Sequence, residues 1–512
     1  MSLRKGKGYF VGIDIGTSGC KGAIFDLNGI PVGSEYIPTA LISPRLGWFE
    51  QVPDRWWMNV RLISQRLIGK TKISAKDILC IGISGTNGLI VLNRQGKCLR
   101  NAILFMDMRS EKETEWIKKN VGEQKIFTLT GNRLAPGSYS APILRWIKRN
   151  EPQIYKKIYK ILVPAGFIVL KLTNSFSMDF SRSSMTLLFD IKKLKWNTAI
   201  CDKLGLDPNF LPPIYRSYEI VGEVTSEAQR WTGFSEGTPV IAGCNDTVSA
   251  GIGAGSILPG QSYMVLGTSG RICLNIKRPV FDSRFVNIVY GIKNQWLNIA
   301  AINSIGASLN WYKSAFNKKG SFDSIIESAR KSKPGARGLI YLPYLNGERS
   351  PIWDPSARGV LFGLSSNHDE KDVVRAILEG TAYAFKQNLD ILEGELHLWL
   401  EKMIRVGGGG ARNSFWCQVI SDVLNRPLAI LENLETETLG CAILAGIGIG
   451  YYKDFKGIVN KAVKISQVIK PTSGNLSVYQ DLFQIYKNLY KDLRKDFFGL
   501  AKFYSRSEGG QK

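Results

Sequence analysis

The sequence predicts an α/β chain built from two related domains that face one another. Three observations carry this. The chain has 512 residues, 44% of them hydrophobic, which is too long for one compact domain of about 100–200 residues. A tetrapeptide, Gly-Thr-Ser-Gly, stands at Gly16–Gly19 between two strand-like runs and recurs at Gly267–Gly270 between two more. The glycine-rich stretch GIGAGSILPG, Gly251–Gly260, separates the copies and reads as a boundary, dividing the chain into 1–253 and 254–512.

The elements follow in order. Tyr9–Ile15 and Cys20–Leu27 read as strands on either side of the first turn, and Asn28-Gly29 before Ile30 is a hairpin signal. Pro53 opens a helix to about Lys70, with Trp56, Trp57, Val60, Ile63 and Leu67 spaced to line one face. Ile78–Ser84 and Leu89–Asn93 read as strands, and Arg109–Lys119 as a polar-faced helix. Beyond the boundary, Tyr263–Leu266 and Arg271–Ile276 repeat the strand, turn, strand pattern. Met403–Val406 leads into a third glycine run, Gly407–Gly410, with a helix expected from about Ser414. The chain closes on an amphipathic helix whose Val478, Leu482, Ile485, Leu489, Leu493 and Phe497 are expected to pack inward.

Composition narrows the chemistry. Lys and Arg number 67 against 43 Asp and Glu, a formal net charge of +24. The excess is dispersed, with Lys192, Lys193 and Lys195 its densest cluster, so it reads as solvated faces rather than a nucleic-acid site. Two histidines leave little room for a His-rich metal site or a Ser-His-Asp triad. Eight scattered cysteines without a CxxC argue against zinc and a disulfide framework, and fit a reducing cytoplasm. The basic leader Met1–Gly8 runs straight into a strand without an apolar signal core, and no run approaches 18 apolar residues, so no membrane segment is expected.

The turns suggest phosphate chemistry. A strand carrying Asp14 and ending in Gly16, Thr17, Ser18 and Gly19 gathers backbone N–H groups, two hydroxyls and a carboxylate at one bend. Such a bend can donate to polyphosphate oxygens while Asp14 holds hydrated Mg²⁺. Gly267, Thr268 and Ser269 offer the same from the second domain, as a triphosphate held between domains requires. The third run, Gly408, Gly409, Gly410 and Ala411, lets a flat adenine lie against backbone beside Asn413. No GxxxxGK[ST] loop is present, and the glycine runs lack the setting of a dinucleotide fold.

These segments, YFVGIDIGTSGCK (Tyr9–Lys21), GCNDTVSAGIGAG (Gly243–Gly255), LGTSG, LPYLNGERSP (Leu342–Pro351) and GGGGARN, resemble the FGGY family of carbohydrate kinases, most nearly its xylulokinases. The resemblance runs from about residue 9 to about 450. It implies two actin-like, ribonuclease-H-like domains with ATP and Mg²⁺ in the cleft, Lys21 at the nucleotide, and transfer of the γ-phosphate to a sugar hydroxyl. Asp246 aligns with the family's catalytic carboxylate, which accepts the hydroxyl proton; its alternative role is to cap a helix starting near Thr247. The resemblance places the sugar near Thr86, Asn87, Phe105, Asp107, Thr247 and Arg271. Here the chain departs from xylulokinases. Gly85-Thr86-Asn87-Gly88 stands for the common Gln-Met-His-Gly, Phe105 for Trp, Thr247 for Asn, Ile143 for Lys, and Arg271 for a neutral residue.

The expectation is therefore an ATP-dependent kinase, with D-xylulose as the leading substrate and another sugar, polyol or sugar acid such as gluconate as the alternative. A chaperone-type ATPase of the same core is the alternative from another class. The expected partners are a small-molecule sugar and ATP, without nucleic acid or membrane, and with a homodimer left open.

Overall fold

The computed structural model describes residues 8–508, with side chains as far as Phe503; residues 1–7 of the basic leader lie outside it. Two sheets organise the chain. In the first, the strands run in the order Ile220–Glu223, Pro239–Ile241, Ile78–Gly85, Tyr9–Ile15, Gly19–Asp26 and Pro31–Pro38. Tyr9–Ile15 is antiparallel to Gly19–Asp26 and parallel to Ile78–Gly85, and the short strand Cys244–Asn245 also pairs in parallel with Ile78–Gly85. The second sheet runs Val286–Val289, Trp296–Ile302, Gly270–Ile276, Ser262–Leu266, Ile404–Gly407, Leu428–Leu431 and Ile465–Ile469. It repeats the plan: an antiparallel meander around the turn, two further strands in parallel, and an antiparallel edge strand. The repeated tetrapeptide thus marks a repeated topology.

A pair of helices lies between the sheets. The boundary helix, Asp246–Gly253, comes from the first half of the chain but packs Gly251 and Val248 toward Tyr263, Tyr290 and Gly291 of the second. The returning helix, Thr436–Gly448, comes from the second half and lies on the first sheet, where the Cys441 thiol reaches the Ile13 carbonyl at 3.7 Å. Backbones meet closely here. A Cβ on Gly12 would stand 1.9 Å from the Thr438 carbonyl oxygen, and one on Gly440 1.9 Å from that of Ser249. Glycine is required by contact at both places. One hydrophobic cluster joins Phe10, Cys80 and Val248 to Tyr263, Leu439 and Leu444 across the boundary.

The helix Pro53–Thr71 covers the first sheet with Trp56, Val60, Ile63 and Leu67 buried, while Trp57 is only partly so. Two other expectations are corrected. The helix expected from Arg109 spans Glu111–Ile117 and continues into a wider turn, leaving Arg109 buried outside it. In the final helix, Leu476–Glu508, Leu489 and Phe497 are buried and Leu482 and Leu493 pack against the core as expected, but Val478 and Ile485 are exposed and Tyr479, Phe483 and Tyr486 are buried in their place. The cause is aromatic packing. Tyr383 meets Tyr479 edge-on and Phe483 and Tyr486 at tilted angles, and the hydroxyls of Tyr344 and Tyr486 meet at 3.0 Å, so aromatic rings take positions assigned to Val478 and Ile485. Among the described residues, no helix is long and apolar enough to cross a membrane.

Candidate active site

Parallel strands deliver the site. Ile15 is paired with Gly85, and Gly85 with Asn245, so Asp14, Thr86 and Asp246 emerge at the same edge of the first sheet. In the second sheet Val265 pairs with Gly407 and Arg405 with Ala429, which brings the second GTSG turn, the GGGG run and the start of the returning helix to one edge. Ligands gather at such carboxyl ends of parallel strands because the connecting loops open there. Both edges face one cavity of about 580 Å³, whose walls include Asp14, Thr17, Asp246, Thr268, Arg271 and Glu437.

The turns are fixed by their own backbones. The Gly16 N–H donates to the Gly19 carbonyl at 2.9 Å and the Gly267 N–H to the Ser269 carbonyl at 3.1 Å. The Gly267 and Thr268 carbonyls accept from Gly306 and Ala307, the start of the helix Gly306–Phe316. Ser18, Thr268 and Ser269 are exposed at the cavity and Gly16, Thr17 and Gly267 half-buried. The Thr17 hydroxyl donates to that of Thr86 at 3.3 Å. Gly408, with φ of 87°, approaches the Leu266 backbone, and Gly409 has open space before it. Asn413 caps the helix Ser414–Leu424, accepting from the Trp416 N–H at 3.0 Å.

Asp246 is not the helix cap. Asn245 takes that position, its side chain accepting from the Thr247 N–H at 2.9 Å, and Asp246 is the first helical residue. Its carboxylate accepts from the Thr247 hydroxyl at 3.1 Å and faces Arg271 at 3.9 Å. Arg271 reaches Glu437 at 3.6 Å on its other side. Burial lowers the affinity of this guanidinium for its proton, but Asp246 foremost, then other neighbours including Glu437, outweigh that and hold it above the ordinary arginine value.

Asp14 is almost wholly buried, and its carboxyl accepts from the Ser84 hydroxyl at 2.7 Å. Burial above all, then the charges of Glu437 and Asp246, push it up to about 7, against the pull of Ser84 and Lys21. Lys21 pairs with Glu435 at 2.8 Å. A buried acid crowded by carboxylates is a place where a cation relieves charge. Among the described residues no three carboxylate, imidazole or thiolate groups converge as a ready-made metal cage. A magnesium ion would need no such cage, since it keeps much of its water and takes one or two carboxylates together with substrate phosphate.

The sugar-side residues divide. Thr86, Asn87 and Thr247 are buried and Phe105 is half-buried, and none of the four lines the cavity itself. The Asn87 amide N–H donates to the Ser138 carbonyl at 2.8 Å. Asp107 is fully buried, and its two oxygens accept from the backbone N–H groups of Phe49 and Arg109 and from two Arg109 guanidinium nitrogens. This saturated carboxylate anchors its loop, in contrast to the direct sugar contact expected of it. Sequence reasoning missed Glu435 and Glu437. Their signal is an acidic Glu-x-Glu at the N-terminal end of an apolar, glycine-containing helix that follows a strand-like run.

Phosphate turns from two like domains, with carboxylates between them, define an actin-like ATPase cleft. Residues 9–253 match the N-terminal domain, and residues 262–449 the C-terminal domain, of the FGGY family of carbohydrate kinases. The chain is 31% identical over 491 residues to a xylulose kinase of Bacillus subtilis (strain 168), covering 95% of this chain and 98% of that one. A ligand-bound xylulose kinase from Lactobacillus acidophilus superposes with a TM-score of 0.91 at 25% identity, covering 96% of this chain and all of that one. A gluconate kinase from the same organism gives 0.91 at 25%, covering 97% and all of it. The chain belongs to the FGGY family and is an ATP-dependent carbohydrate kinase.

Proposed function

We propose that the chain transfers the γ-phosphoryl group of ATP to D-xylulose, giving D-xylulose 5-phosphate, with Asp246 as general base. The observation that carries this reading is the position of Asp246 on the cavity wall between the two GTSG turns. A sugar hydroxyl entering from the Thr86 and Phe105 side would meet that carboxylate and the phosphate together. Asp246 takes the hydroxyl proton as the oxygen attacks phosphorus in line, and the bridging oxygen leaves with ADP. The turns supply hydroxyl and N–H donors to the phosphate oxygens from both domains, and Lys21, held by Glu435, adds positive charge on the first side. Asp14 would hold Mg²⁺, which neutralises phosphate charge when bound. The Gly408–Ala411 run with Asn413 would carry the adenosine.

D-Xylulose is supported by the likeness to the Bacillus subtilis xylulose kinase. Arg271 also favours an uncharged sugar, because its guanidinium already faces two carboxylates of the protein. The gluconate kinase similarity makes the sugar acid the alternative that needs testing. A panel of D-xylulose, other ketoses, polyols and D-gluconate, read by sugar-dependent ADP release, decides. The reading expects the highest kcat/KM for D-xylulose; a preference for gluconate overturns it, and sugar-indifferent hydrolysis overturns Asp246 as a base for a sugar hydroxyl.

A further inference from the structure

The two-residue strand Glu50–Gln51 touches both halves of the reaction. It pairs with Ala102–Leu104, the strand that leads into Phe105 and Asp107, and that strand pairs with Gly88–Leu92, which follows Asn87. Successive residues of a strand point to opposite faces. Glu50 points toward the sugar-side loop, where it meets Arg109 at 2.8 Å and Asn101 at 3.1 Å and also pairs with Arg100. Arg109 is locked against Asp107 and lies 4.0 Å over the Trp48 ring. Gln51 points the other way and is completely buried. Its amide N–H donates to the Thr17 carbonyl at 2.8 Å, and its amide oxygen accepts from the Trp56 indole N–H at 3.1 Å.

The amide has only one orientation that serves both partners, since an indole N–H only donates and a carbonyl only accepts. The consequence reaches the phosphate turn through peptide geometry. The Thr17 carbonyl and the Ser18 N–H belong to one planar trans peptide and point in opposite directions. By holding the carbonyl, Gln51 fixes the direction of the Ser18 N–H.

We infer that Gln51 is a positioning residue that couples the sugar-side sheet to the first phosphate turn, so that a sugar on one side sets the donors offered to ATP on the other. The inference rests on the assignment of the Thr86, Asn87 and Phe105 side to the sugar. It requires that sugar and nucleotide tighten each other's binding by the same factor, as linkage demands.

Calorimetry on the full chain tests it, with a non-hydrolysable ATP analogue plus Mg²⁺, and with whichever of D-xylulose and D-gluconate the wild type phosphorylates. In the wild type, saturating sugar is expected to tighten the analogue by about 5-fold or more, the lower end of typical coupling. Gln51→Met should reduce that factor to about one, leave the sugar affinity measured without nucleotide unchanged, and raise the KM for ATP. Gln51→Asn, which keeps an amide but is one methylene too short to span both partners, should do the same and serves if the Met variant fails to fold. Trp56→Phe, which keeps the bond to Thr17, should retain the coupling. Coupling that survives both Gln51 variants overturns the inference, as does equal loss in Trp56→Phe, which marks a merely structural role. If D-xylulose is not the preferred substrate, the substrate reading fails and the coupling is measured with the sugar the panel selects; if D-xylulose is phosphorylated while the variants keep their coupling, only the inference fails.

Discussion

Asp246 and Arg271 face each other at 3.9 Å across the cleft, with Glu437 beyond. If Asp246 is the base, Asp246→Asn should leave nucleotide binding intact and lower kcat at least about 10²-fold, the smaller end of general-base effects; near-normal turnover with the preferred sugar would falsify the role. Arg271→Ala distinguishes the substrates. A D-xylulose preference little changed by the substitution assigns Arg271 to the balance of charge among Asp246, Glu437 and Asp14, whereas a gluconate preference that collapses assigns it to a substrate carboxylate. Asp14 carries a pH dependence. Burial and the charges of Glu437 and Asp246 push its carboxyl up to about 7 from an ordinary 3.8, so the folded state favours its protonated form. The corresponding stability is complete below about pH 3.8 and is lost as pH rises toward about 7. In EDTA, Asp14→Asn should therefore gain Tm relative to wild type across that interval, and Mg²⁺ should recover more of the wild-type Tm at pH 8 than at pH 6. A pH-independent difference would count against Asp14 as the strained acid.

Turns and helices are the next scale. The paired GTSG turns predict that Thr17→Val and Thr268→Val each weaken ATP affinity while sugar affinity, measured alone by calorimetry, stays nearly constant; the reverse pattern removes them from the phosphate site. The contact between Gly12 and the Thr438 carbonyl predicts that Gly12→Ala costs about 1–3 kcal/mol, as overpacking does, measured as a shift in the denaturation midpoint. Strand–turn–strand units were legible because their residues are contiguous: Asp14 and Thr17 share a bend with their neighbours in sequence. Asp246 needed the resemblance, since its own segment also reads as a cap, and only the structure gives the cap to Asn245. Gln51 was not legible at all, and Glu437 left only the Glu-x-Glu at the head of its helix, which does not say where that helix docks. Helix placement carries Glu437 to Arg271, 166 positions away, and strand pairing carries Gln51 to the Thr17 carbonyl, 34 positions away. The final helix shows the limit of periodicity, because Tyr479 and Tyr486 pack as hydrophobes but carry hydroxyls that a polar/apolar reading sends outward.

For the whole molecule, a net charge of +24 without a dense basic run predicts that no tight, salt-resistant complex with DNA or RNA forms at physiological salt; a filter-binding titration that finds one would give the charge a function. The pairing of the two halves has a temporal side. The first sheet is complete by Asn245 and the boundary helix by Gly253, yet the close contacts at Gly12 and Ser249 form only with the helix Thr436–Gly448. During synthesis at about 5–20 residues per second, the ribosome would need roughly 10–40 s after Gly253 to supply that helix. The nascent first half must wait through this interval with one apolar sheet face uncovered, and a fragment ending at the domain boundary would wait indefinitely. Because one helix is lent across the chain, residues 1–253 expressed alone are expected to be insoluble and to recover solubility on co-expression with residues 254–512, which the soluble fraction after lysis checks.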